Sequence, residues 1–202
     1  MSWSLRQIAP SATELLSVDK AKAHSRIDFD DEDDYIEGLC IAARAMVEEH
    51  LSRSLITQTW VLGIPYFPYT DRIYLPRGPV QSVTSVKYTD SGLVEHTMSE
   101  GSDYLVDNYA EVAEIVLPFG KVWPAAVLST KRPIAIQYNA GYGDDADMVP
   151  PQIAIAGYQL VADWYENREA IAISRTASAV IELPNAFKAL LATYRLRYSG
   201  PF

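Results

Sequence analysis

Residues 36–64 read IEGLCIAARAMVEEHLSRSLITQTWVLGI, and the spacing of their apolar residues changes partway along. In the first part, apolar residues recur every three or four positions, as they do along one face of a helix; they are Ile36, Leu39, Cys40, Ala43, Met46, Val47 and Leu51. In the second part Trp60, Leu62 and Ile64 alternate with Thr59, Val61 and Gly63, which is the period of a strand. The stretch therefore predicts a long helix followed by a strand.

Before the long helix, the sequence predicts a short helix and an acidic loop. Ser17 is a typical N-cap for the short helix. Residues 28–34 carry six carboxylates, but an EF-hand calcium loop needs Gly at position six and Glu at position twelve. Counted from Asp28, those positions hold Asp33 and Leu39. We therefore interpret the carboxylates as partners of the positive end of the long helix.

The region after the long helix is rich in Val, Ile, Thr and Tyr and is broken by Pro and Gly. Its apolar and β-branched runs predict short strands at residues 72–75, 82–90, 93–97, 112–117 and 133–140. Within the last run, Ile134, Ile136 and Tyr138 share one face. Several short strands joined by short turns indicate a mostly antiparallel sheet or a small sandwich.

The C-terminal region returns to helical spacing. Pro150 and Pro151 fit the first turn of a helix, whose apolar stripe is Ile153, Ala156, Leu160, Val161 and Trp164. Gly157 in the middle of this helix indicates the close approach of another helix. A last helix opens at Pro184, and its apolar side consists of Phe187, Leu190, Leu191 and Tyr194.

These patterns together predict an α+β fold, with a small helical bundle built from both chain ends and an inserted antiparallel β block. We expect residues 1–54 to form the N-terminal part of the bundle and residues 55–143 the β insertion. Residues 144–202 then form the C-terminal part of the bundle and a tail.

Composition narrows the classes of function. The chain has 202 residues and a formal net charge of −9, which opposes a general DNA-binding role because DNA affinity rests largely on Lys and Arg. A single cysteine, Cys40, allows no intrachain disulfide, so a reducing cytoplasmic compartment fits. No apolar run is long enough for a signal peptide or a membrane span.

Motifs for catalysis are lacking. The sequence has neither G-x-S-x-G nor G-x-x-x-x-G-K-[ST], and His24, His50 and His96 stand in no metal-binding spacing. The pair Gly141 and Gly143 is interpreted as a turn between a strand and a helix. We expect no enzyme, no metal and no cofactor.

The alternative is a metal-dependent enzyme that uses an acidic loop. This loop contains Asp144, Asp145 and Asp147, and oxygen ligands of this kind suit a divalent cation. Clustered surface carboxylates are usually solvated, so the alternative rests on this loop alone.

Aromatic and basic residues concentrate at 164–169, which reads WYENRE. Trp, Tyr and Arg at the end of a helix are the residues from which interface hot spots are made. The same composition fits the edge of an ordinary core, and both interpretations stay open.

Several segments carry a further signal when they are taken in order. They read VDKAKAHSRID at 18–28, LITQTW at 55–60, PVQSVTSVKY at 79–88, AGYGD at 140–144 and WYENRE at 164–169. In this order and spacing, the chain resembles the phage head–tail connector (adaptor) family of long-tailed phages, prophages and gene transfer agents. The resemblance covers about residues 17–197, and residues 1–16 lie outside it.

The resemblance implies a structural protein of the virion neck that is assembled in the host cytoplasm. It implies a ring, commonly of twelve copies, which binds the portal protein, extends the DNA channel and supports the next connector or tail-completion protein. DNA is then passing cargo, and no membrane is involved. C-terminal segments in this family are thought to reach the portal, so the expected interface residues are Trp164, Tyr165, Arg168, Tyr194, Arg195, Arg197, Tyr198 and Phe202.

Overall fold

Residues 3–168, 185–197 and 200 are described in the computed structural model, and the chain divides into two units. The β unit comprises Met1–Ala12, Ser52–Tyr142 and Leu196–Phe202, and the helical unit comprises Thr13–Leu51 and Gly143–Arg195. The described residues combine helices with antiparallel sheets, so the predicted α+β class is confirmed. Residues 1–12 fall in the β unit, although the sequence patterns predict no strand there.

The helical unit contains four α-helices and a short 3₁₀ helix among the described residues. They are α1 (Val18–Ser25), α2 (Asp33–Leu51), the 3₁₀ helix Ala146–Met148, α3 (Pro151–Glu166) and α4 (Asn185–Leu191). The hydroxyl oxygen of Ser17 accepts a hydrogen bond from the Lys20 N–H at 3.4 Å, which confirms the predicted N-cap of α1. The ammonium of Lys22 lies 2.5 Å from Asp30 and 2.7 Å from Asp33, so it neutralises two carboxylates of residues 28–34 at the start of α2.

The predicted helical stripes form the core of this unit. The buried members are Ile36, Leu39, Cys40, Ala43, Val47 and Leu51 in α2, Ile153, Ala156, Leu160, Val161 and Trp164 in α3, and Phe187 and Leu191 in α4. Gly157 does permit a close approach, but the neighbour differs from the expectation. A Cβ at this position would lie 2.9 Å from the methyl carbons of Leu16, which precedes α1 and belongs to no helix.

The β unit contains two antiparallel sheets among the described residues. The larger has the order β1-β2-β8-β4-β5, with β1 at Ser4–Ala9, β2 at Gln58–Ile64, β8 at Ile134–Ala140, β4 at Val80–Thr89 and β5 at Glu95–Met98. The smaller has the order β3-β7-β6, with β3 at Arg72–Tyr74, β7 at Glu114–Val116 and β6 at Leu105–Asp107. The patterns predicted these strands except β1 and β6.

Strand β8 is central to the larger sheet, and its side chains alternate between buried and half-buried. Ile134, Ile136 and Tyr138 are fully buried, which confirms the predicted face. Their cluster includes Ile73 and Ile115 of the smaller sheet, so the two sheets share one core, as in a small sandwich. Burying such side chains contributes roughly 1.5–3 kcal/mol each.

Gly141 closes the β unit at the point where the chain leaves β8. Its N–H donates to the Pro79 carbonyl at 2.9 Å, and its φ of +144° favours glycine. A Cβ here would lie 2.6 Å from backbone atoms of Ile56 and Thr57. This geometry confirms that the glycine pair forms a strand-to-helix junction. Among the described residues, no helix combines the length and apolarity needed to cross a bilayer.

Candidate protein interface

Four side chains meet on the surface of the helical unit and are called here the tyrosine–arginine cluster. Glu32 stands just before α2 and Tyr35 in its first turn, while Tyr165 lies in the last turn of α3 and Arg168 just beyond it. The start of one helix and the end of another therefore supply two residues each.

The guanidinium of Arg168 is held by three partners. Its carbon lies 4.7 Å from the ring centroids of both Tyr35 and Tyr165, and its Nη2 donates to Glu32 Oε2 at 2.6 Å. The Tyr165 hydroxyl donates to the same oxygen. Cation–π and charge-assisted contacts thus fix an exposed arginine in one orientation.

The contacts also set the charges of the cluster. Hydrogen bonds from Arg168 and then from Tyr165 lower the pKa of Glu32. The same carboxylate raises the pKa of Tyr165 and of Arg168. At neutral pH the cluster therefore presents an ionised carboxylate, a protonated phenol and a charged guanidinium to solvent.

The expected interface residues are only partly brought together. Tyr165 and Arg168 share the cluster, but Trp164 is 7% exposed and packs in the core. It therefore positions the end of α3 and presents little surface.

The remaining expected residues lie near the C-terminus. Tyr194 is half-buried and its hydroxyl donates to Gln152 at 3.2 Å, whereas Arg195 is exposed. Arg197 is exposed and belongs to the β unit. Tyr198 and Phe202 lie outside the described residues.

Sequence reasoning missed Glu32 and Tyr35 as members of the cluster. Glu32 stands 133 positions before Tyr165 and 136 before Arg168, and no local spacing reports a contact over that distance. Its place before a helix was already explained by the helix dipole, so it gave no separate signal.

The second candidate site is the acidic loop that contains Asp144, Asp145 and Asp147. Asp144, Asp145 and Asp147 are exposed, and Asp147 lies 3.9 Å from the ammonium of Lys20. Across residues 3–168, 185–197 and 200, no three His, Cys, Asp or Glu side chains are grouped so as to hold a metal ion.

Cys40 is a core residue, as its place on the stripe predicts. It is 1% exposed, and burial, followed by the nearby charges of Glu14 and Glu37, raises the pKa of its thiol to about 11. The thiol is therefore protonated at neutral pH and is a poor nucleophile.

Charge is distributed unequally between the units. The helical unit contains 18 acidic and 8 basic residues, a formal charge of −10, whereas the β unit contains 8 acidic and 9 basic residues, a formal charge of +1. The acidity of the whole chain therefore resides in the helical unit.

Comparisons with known proteins agree on one family and one fold. The sequence model of the family described as head completion protein (HCP) matches residues 14–196. A chain from the neck of an empty gene transfer agent particle, computed with C6 symmetry, has a TM-score of 0.77 at 23% identity, with 98% of each chain covered.

Two further structures have the same fold. A chain from the virion of a native gene transfer agent has a TM-score of 0.76 at 23% identity, with 97% of each chain covered. A chain from the neck of a native particle, computed with C12 symmetry, has a TM-score of 0.74 at 22% identity, with 98% of each chain covered. No curated protein sequence matches the chain significantly.

Proposed function

Because this chain belongs to the head completion protein family, we propose that it is a structural head–tail connector subunit of a phage, prophage or gene transfer agent particle. In this proposal it forms a ring beneath the portal protein, extends the DNA channel and supports the next connector or tail-completion protein. The observation that carries the proposal is the family match over residues 14–196, which includes parts of both units.

Ring formation is supported by the kind of particle in which the fold recurs. The matching chains come from necks computed with C6 and C12 symmetry, and a ring of identical copies requires two different, complementary surfaces on each copy. We infer a ring of twelve copies for this chain when it is assembled on the portal.

The charge of the chain supports a role in which DNA passes without binding. A formal charge of −9 repels the duplex, and DNA affinity rests largely on Lys and Arg residues that neutralise phosphates. The helical unit, with its formal charge of −10, is the part best suited to face a DNA channel.

The tyrosine–arginine cluster and the C-terminal residues are the proposed portal contacts. An arginine fixed beside two tyrosines presents aromatic and charged groups without a large further loss of side-chain entropy on binding. Arg195 and Arg197 are exposed in the C-terminal segment, and this exposure supports a contact between their guanidinium groups and an acidic partner surface.

Light scattering with and without the portal protein tests this function. We expect the purified chain to be a monomer or a weak oligomer, and to form a stoichiometric complex when portal protein is added. A stable monomer whose mass is unaffected by portal protein would contradict the proposal.

A further inference from the structure

Three loops gather at one end of the β unit. Ile134, at the start of β8, pairs with Ile64 at the end of β2 on one side. On its other side it pairs with Tyr88, near the end of β4. The loops that leave or enter these strands therefore share one end of the sheet. Residues 65–71, 90–94 and 117–133 are called here the loop end.

The first part of the longest loop, residues 117–133, is bound to the β2–β3 loop. The Leu117 N–H donates to the Asp71 carbonyl at 2.9 Å, and the Trp123 indole N–H donates to the Thr70 carbonyl at 2.7 Å. The Trp123 ring also stacks on Phe67 with a centroid separation of 5.2 Å. Residues 117–123 are thus held against the β2–β3 loop.

The same loop is anchored on its other side to the β4–β5 turn. The Ser91 N–H donates to the Val127 carbonyl at 2.8 Å, and the Ser129 N–H donates to the Thr89 carbonyl at 3.0 Å. The loop end therefore has a defined backbone structure.

The loop end exposes several large apolar side chains to solvent. Its exposed members are Tyr69, Leu93, Val94, Phe119, Val122 and Val127. Phe119 is 108% exposed, so its ring contributes nothing to the core of its own unit. Several large apolar side chains on neighbouring loops mark an interaction surface.

The long loop of the loop end, residues 117–133, is basic within an acidic chain, whereas the two shorter loops carry one carboxylate each, Asp71 and Asp90. Lys121, Lys131 and Arg132 lie in the long loop, and no acidic residue occurs between Glu114 and Asp144. A partner that complements this surface combines carboxylates with an apolar side chain.

We propose that the loop end binds a second copy of this chain, at the acidic residues 28–34. In that segment Asp28, Asp31 and Asp34 are exposed, and Phe29 is exposed among them. The contact is heterologous, since a different surface is used on each copy, and such contacts build rings. The inference rests on the proposed connector function, because it identifies the surfaces through which the ring closes.

Charge reversal and one apolar replacement test the contact. The loop variant is K121E/K131E, the acidic-segment variant is D28K/D31K, and a third chain carries all four changes and keeps the original net charge. F119S removes the exposed ring, and Y109S is its matched control. Tyr109 is 98% exposed and follows Asn108, which contacts Gln81 at the opposite end of the sheet.

Assembly is measured by sedimentation at rising protein concentration, with and without portal protein, after an unchanged thermal midpoint has shown that each variant folds. We expect K121E/K131E, D28K/D31K and F119S each to raise the concentration for half-assembly by about tenfold or more. The four-change chain recovers most of this loss, and Y109S assembles like the unaltered chain.

The possible failures are distinguishable. If the unaltered chain forms rings and the loop variants form them equally well, this inference is overturned while the connector function stands. If K121E/K131E impairs assembly and the four-change chain does not restore it, the acidic segment of a second copy is not the partner. The same conclusion follows if K121E/K131E assembles normally and loses only DNA binding in a gel shift. If the unaltered chain never assembles, the connector function itself fails.

Discussion

Glu32 accepts hydrogen bonds from Arg168 and Tyr165 through one carboxylate oxygen, and it thereby ties the start of α2 to the end of α3. Neither partner is close to it in sequence, so the bond is a tertiary contact made by charged and aromatic groups on the surface. Its contribution depends on the ionisation of the carboxylate, and pH therefore provides a direct test.

We expect E32Q to lower the thermal midpoint at neutral pH, and the difference from the unaltered chain to vanish in acid. The pKa of Glu32 is lowered below its ordinary 4.5, so its stabilisation is complete above that value and is lost as the pH falls through the lowered pKa. Thermal unfolding between about pH 7 and pH 3 measures this. E37Q, at an exposed carboxylate of the same helix, is the control, and equal effects of the two changes would contradict the account.

Arg44 provides a second test, because it links two carboxylates in the helical unit. Its Nε lies 2.6 Å from Glu14 and its Nη1 2.8 Å from Glu48. Burial alone would lower the pKa of Arg44, but the two carboxylates raise it. The guanidinium is therefore charged, and it neutralises Glu48, which is 11% exposed, and the more exposed Glu14.

We expect R44M to reduce the free energy of unfolding by about 2 kcal/mol, because the carboxylate of Glu48, which is 11% exposed, loses its contact with the Arg44 guanidinium. Urea denaturation measures this change. The control is K87M, since the Lys87–Glu95 pair is well exposed and such pairs contribute little. A loss as small for R44M as for K87M would show that burial does not strengthen the Arg44 contacts.

At the scale of elements, periodic patterns in the sequence predict the helices and strands that have one buried face, but not the exposed strand at the edge of the sheet. The α2 stripe and the alternating face of β8 follow from spacing because one side of each element is buried. Strand β1 lies at the edge of its sheet and is mostly exposed, so its residues carry no alternation that would reveal it. The tyrosine–arginine cluster was half predicted, since composition identified Tyr165 and Arg168 and only folding brings Glu32 and Tyr35 beside them.

Substitution of two glycines by alanine is expected to change the free energy of unfolding in opposite directions. Gly141 directly follows β8, and Gly38 lies within α2. G141A is expected to reduce the free energy of unfolding by at least about 2 kcal/mol, because the added methyl meets backbone atoms at 2.6 Å and φ is positive. G38A in α2 is expected to increase it by about 1 kcal/mol, because the site is exposed and nothing lies within 4 Å of the new Cβ. Denaturation of both variants measures the pair, and a destabilised G38A would contradict this account of α2.

At the scale of the whole molecule, the resemblance found in the order of sequence segments is confirmed by the head completion protein match. The fold is that of chains in gene transfer agent necks and virions. The proposed ring size and portal contacts depend on surfaces of other chains, which no periodicity within this sequence records.

The isolated chain is expected not to bind DNA detectably. Its formal charge of −9 leaves no net attraction to phosphate, so we expect no retarded duplex in a gel shift even at low salt. Tight binding under those conditions would contradict the interpretation of DNA as passing cargo.

Electron microscopy of the purified chain mixed with its portal protein tests the connector function most directly. The account predicts a ring of the chain coaxial with the portal, with a continuous central channel through both. Portal particles that carry no added ring, at chain concentrations well above the portal concentration, would contradict it.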